Sequence, residues 1–164
     1  MADIAQDEAN DALFQNPHNA RAALEVFDKR FSTLYVGGPM YDAYHAFRLR
    51  SGDQGQINRH DPIVGGDGFR NEYKDSGSDP NPKIAGPKAD QTHHFVAHLS
   101  LGINKAFWTT GWGIKHEDNQ GDVNLSRAAY RMGVQLHDRP SMLNRIGTWI
   151  RRTICDGTGH GLYY

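Results

Sequence analysis

Asp90, His94 and His98, in the segment Asp90-Gln-Thr-His93-His94-Phe-Val-Ala-His98, carry the strongest chemical signal in this chain. At positions i, i+4 and i+8 they fall along one side of a helix. Two imidazoles one turn apart can ligate a single ion, and a carboxylate one turn earlier can join them or orient them. The ion such a set would take is a divalent metal such as zinc. Without a metal, His93, His94 or His98 could serve as general acid or base. An N-cap role for Asp90 requires no such chemistry, and no glutamate stands between His94 and His98 as the zincin pattern His-Glu-x-x-His demands. A one-residue shift in the helix start rotates the face by 100°, so the sequence does not tell His93 from His94 as the inward residue.

A second set lies upstream in Asp67-Gly-Phe-Arg-Asn-Glu72-Tyr. A carboxyl of Asp67 or Glu72 held against Phe69 and Tyr73 would be desolvated, and its pKa would rise towards that of a useful general acid. The bland reading makes Asp67-Gly68 a turn and Glu72 a solvated charge. A calcium loop starting at Asp61 fails, because Ile63 and Gly65 would occupy ligand positions without side-chain oxygens. The run from Glu117 to Asn124 is rich in oxygen ligands, but Asx residues dominate such turns for backbone reasons alone. Trp108 and Trp112 could line a groove, four arginines (139, 145, 151 and 152) could make a basic edge, and Cys155 reads as structural.

Positioning these residues requires helices. Apolar spacing predicts an all-α fold, a single helical domain over residues 1–164 with five to six helices. The first, Asp3 to Phe14, is weakly amphipathic and prone to fray. The second follows an Asn16 cap and Pro17, carries Ala20, Ala23, Leu24, Phe27, Phe31 and Leu34, and stops at Gly37-Gly38. A third starts at Pro39. The fourth begins at Asp90 with the stripe Phe95, Leu99, Ile103 and Ala106, a face apart from the histidines. The fifth starts at Asp122 with Leu125, Ala129, Met132 and Leu136, and Gly133 on that face allows close helix approach. The sixth follows Pro140 with Leu143, Ile146, Ile150 and Ile154. The second, fourth, fifth and sixth would form the core. A long Gly/Pro-rich loop, residues 51–89, would pack over one end, with Ile63, Val64, Phe69 and Tyr73 to dock it and room for a small hairpin within 53–75.

Composition narrows the classes. With 38% hydrophobic and 23% charged residues, the 164-residue chain suits a globular protein, and a net charge of −1 gives no reason to propose nucleic acid. No apolar run is long enough for a membrane span. The acidic start and single cysteine lead us to expect a cytoplasmic protein, or one exported without a signal peptide. P-loop, dinucleotide-binding and nucleophile-elbow patterns are not found. The reading is a hydrolase acting on a small-molecule or polymeric substrate, with His93, His94 and His98 facing Asp67 or Glu72 across a pocket. The alternatives are a protein- or glycan-interaction module and a domain holding a structural metal through Asp90, His94 and His98.

Overall fold

The structure, a computed structural model, describes residues 1–36, 69–73, 91–106 and 120–156. Over these residues it is all-α. Five helices, α1 (Ala2–Gln15), α2 (Ala20–Val36), α3 (Gln91–Ile103), α4 (Gln120–Asp138) and α5 (Ile146–Thr153), are joined by 3-10 turns at Asn71–Tyr73 and Pro140–Arg145. The helix expected from Pro39, the greater part of the 51–89 loop and the tryptophan loop lie outside the described residues.

In α1, Ala2, Ala5, Ala9 and Ala12 recur at spacings of three and four, and all four are buried. The helix expected to fray is therefore part of the core, packed against α2 and α5. Alanine gives little hydrophobic contrast along a sequence, yet a row of methyl groups lets two helix backbones come close. The contact with α5 is tight enough that a Cβ on Gly147 would lie 2.7 Å from the Ala2 carbonyl. Gln6 secures it, accepting from the Gly147 N–H at 3.0 Å and donating to the Asn144 carbonyl at 3.1 Å. Arg30 of α2 reaches Glu8 at 2.6 Å and Asp11 at 3.1 Å, and Arg151 pairs with Asp3.

The turn between α1 and α2 differs from the expected one. Asn16 closes α1, its side-chain amide donating to the Ala12 carbonyl at 3.1 Å. The cap of α2 is Asn19, whose Oδ1 accepts the Ala22 N–H at 3.0 Å. Two asparagines three residues apart compete for the role, and the one whose oxygen reaches the third N–H of the helix takes it.

Every described side chain of α3 is buried. A helix apolar or occluded all round is an interior helix, and α3 lies between α2 and α4. The backbones of α3 and α4 approach closely. A Cβ on Gly133 would fall 2.2 Å from the Leu99 carbonyl, and one on Gly102 equally near the Tyr130 carbonyl. The close approach expected at Gly133 is thus met, with Gly102 as its counterpart. The helix starts at Gln120, two residues before the expected Asp122, which sits buried in the first turn. Instead of one helix after Pro140, a 3-10 turn holds Leu143 and α5 carries Ile146 and Ile150, all buried together with Ile154 just beyond.

Part of the long loop docks as expected. Phe69 is buried and forms an isolated antiparallel bridge with Cys155. Arg70 donates its backbone N–H to the Ile154 carbonyl at 3.0 Å and its guanidinium to the carbonyls of Arg152 and Cys155. A cation on the carbonyl end of α5 offsets the negative end of its dipole.

Candidate functional site

The site begins with how α3 ends. Lys105 takes a left-handed conformation, φ 53°. Its N–H donates to the Gly102 carbonyl, and that of Ala106 to the Leu101 carbonyl, both at 3.0 Å. This is a Schellman closure, with a lysine in the position that usually favours glycine. It makes Asn104 the last residue of the turn and aims its side chain at α2. There the amide nitrogen donates to Asp28 Oδ2 at 2.8 Å and to the Ser100 carbonyl at 2.9 Å.

Asp28 is 8% exposed. It stands four residues after Leu24 and three before Phe31, inside the apolar stripe of α2. Burial pushes its carboxyl up from an ordinary 3.8 to about 6, and the Asn104 amide and the nearby Ser100 hydroxyl draw it back only in part. Among the described residues no Lys, Arg or His nitrogen lies within ion-pair distance of it.

His137, in the last turn of α4, closes the other side. Its Nδ1 is 2.7 Å from the Ile103 carbonyl, an atom that can only accept, so Nδ1 carries the proton and Nε2 is left with the lone pair in the neutral ring. The 3.2 Å approach of Arg21 Nη1 to that same Nδ1 is then a contact between two donors. The hydrogen bond Arg21 does make is from Nη2 to the His137 carbonyl, at 2.8 Å. Between these groups lies a cleft of about 320 Å³ lined by Arg21, Leu24, Glu25, Asp28, Lys29, Ile103, Asn104 and His137. Its size suits a small ligand.

The residues expected to do chemistry lie elsewhere. His94 and His98 are together on α3, but both are buried, so the expectation that they stand apart from the core is corrected: α3 has no solvent face among its described residues. Their rings are 6.4 Å apart and 11° from parallel. No group of three or more metal-ligating side chains occurs among the described residues. Glu72 is exposed in the turn Asn71–Tyr73, which Asn124 fastens to α4 by donating to the Glu72 carbonyl at 3.0 Å. Asp67, Asp90 and the side chain of His93 lie outside the described residues.

Sequence reasoning passed over Asp28, Asn104 and His137. The usable signal was an acid flanked by Leu24, Phe27 and Phe31 on one helix face, where a solvated charge has no place. Compared with known proteins, the chain matches no family model, no curated protein and no solved structure.

Proposed function

We propose that the cleft between α2 and the C-terminal ends of α3 and α4 binds a small organic cation, with Asp28 as its counter-ion. One observation carries this reading: Asp28 lines the cleft, is nine-tenths buried, and its carboxyl has a neutral amide where buried acids normally have a cation. Above pH 6 that carboxylate is desolvated without a compensating charge, and an entering ammonium would supply one. The small apolar surface the cleft presents comes from Ile103, since Leu24 beneath it is fully buried. A calorimetric or NMR titration with n-pentylammonium tests it. Binding by the wild type and its loss in Asp28→Asn are expected. Equal binding by both proteins, or by neither, sinks the reading.

The orientation of His137 favours a second reading, the hydrolase. With Nδ1–H fixed on the Ile103 carbonyl, Nε2 is the nitrogen able to take a proton from an attacking water, a common arrangement for an imidazole base. In this reading Asp28 holds the substrate and His137 is the base, in place of His94 or His98. Turnover of amide and ester substrates that carry an amine, lost in His137→Gln with binding retained, separates catalysis from binding alone. The metal-holding alternative is judged by elemental analysis of the purified protein: a stoichiometric ion lost on His94→Ala/His98→Ala would establish it.

A further inference from the structure

The cleft holds both signs of charge, and their arrangement goes beyond a simple amine site. Arg21 and Asp28 are seven residues apart on α2, which puts them within about 20° of one line along the helix and about 10.5 Å apart along its axis. Glu25 and Lys29 stand to one side of that line, and Asn104 and His137 face it from α3 and α4. Arg21 uses one N–H on the His137 carbonyl and keeps others of its five. Among the described residues no carboxylate lies within ion-pair distance of it, although Glu25 is only one turn away and Asp138 is near enough to feel its charge. The carbonyl ends of α3 and α4 would repel an anion were they bare, but Ile103, His137 and Ser100 each have a donor on theirs.

We infer that the ligand is a linear zwitterion, an ω-amino acid or a dipeptide, whose ammonium end meets Asp28 and whose carboxylate end meets Arg21. This rests on the reading of Asp28 as a cation's counter-ion and adds the second pole. A guanidinium fork pairs with a carboxylate through two parallel hydrogen bonds, and a chain of a few methylenes spans the cleft between the poles, past Ile103.

Three probes of equal chain length test it: 5-aminopentanoate, n-pentylammonium and pentanoate, titrated at pH 7.5 and followed by amide NMR shifts. The expected result is 5-aminopentanoate binding about tenfold tighter than n-pentylammonium, the worth of one charge-assisted hydrogen bond, with Arg21→Gln abolishing that preference for the zwitterion over the amine. Equal affinity of amine and zwitterion in the wild type overturns the inference and leaves the amine site standing. If n-pentylammonium does not bind at all, the parent reading fails first. An Arg21→Gln protein that has lost affinity for both probes would overturn the inference as well, and its melting temperature shows whether α2 and α4 have come apart.

Discussion

Asn104 gives Asp28 a hydrogen bond at 2.8 Å, and the same amide nitrogen reaches the Ser100 carbonyl at 2.9 Å. Both of its hydrogens are thereby used. Asp28 is oriented by a neutral group whose capacity is spent, and the charge it acquires at neutral pH is left to a ligand. A carboxyl in that position costs the fold stability, and a site that costs stability is a place to look for function.

That cost sets the first prediction. The folded protein holds the Asp28 proton up to about pH 6, the unfolded chain only to an ordinary 3.8. Between those values the folded state binds more protons, so wild-type stability is full below the lower value and is lost as pH rises through about 6. Two units correspond to about 3 kcal/mol. Asp28→Asn should match the wild type near pH 4 and exceed it by up to about that amount at pH 8 in urea denaturation. A variant less stable than the wild type at pH 8 would contradict the assignment.

Gly133→Ala should cost about 3 kcal/mol, because the new methyl meets backbone at the Leu99 carbonyl, 2.2 Å away, and at the Ile103 nitrogen, 2.7 Å away. Neither neighbour can rotate aside, so α3 and α4 must separate. Urea midpoints measure it, and a change under about 0.5 kcal/mol would show the helices can slide.

Gln6→Ala should cost about 1 kcal/mol, as it leaves the Gly147 N–H and the Asn144 carbonyl without their partner. The loss should appear as faster amide exchange at Gly147 as well as in the midpoint. Protection unchanged at Gly147 would mean that water replaces the side chain without loss.

His94→Ala and His98→Ala should each destabilise by about 2 kcal/mol, the cost of truncating a buried side chain. Either variant keeping its melting temperature while losing function would restore the chemical role read from their spacing.

What the sequence revealed follows from which signals are loud. Leu24, Phe27 and Phe31, or Leu125, Met132 and Leu136, stand out against polar neighbours, and their helices were legible. So was Gly133, a glycine on an apolar face. The alanine row of α1 was not, since Ala2, Ala5, Ala9 and Ala12 sit near the middle of any hydrophobicity scale. His94 and His98 were read from one helix in isolation, where they form a separate face, and burial of that face comes from tertiary packing that one helix does not record. The cleft was hidden for a further reason. Asp28, Asn104 and His137 come from three segments whose meeting depends on a helix crossing and on a left-handed lysine, and neither is written in local periodicity.

The most direct measurement is the titration of Asp28 itself, by NMR of the protein carrying ¹³C-labelled aspartate carboxyls, with and without n-pentylammonium. Assignment of the Asp28 signal comes from its absence in Asp28→Asn. A midpoint near 6 that falls when the amine is added is the result predicted, because a bound cation favours the charged carboxylate. A midpoint near 4, unmoved by the amine, would contradict both the buried carboxyl and the site built on it.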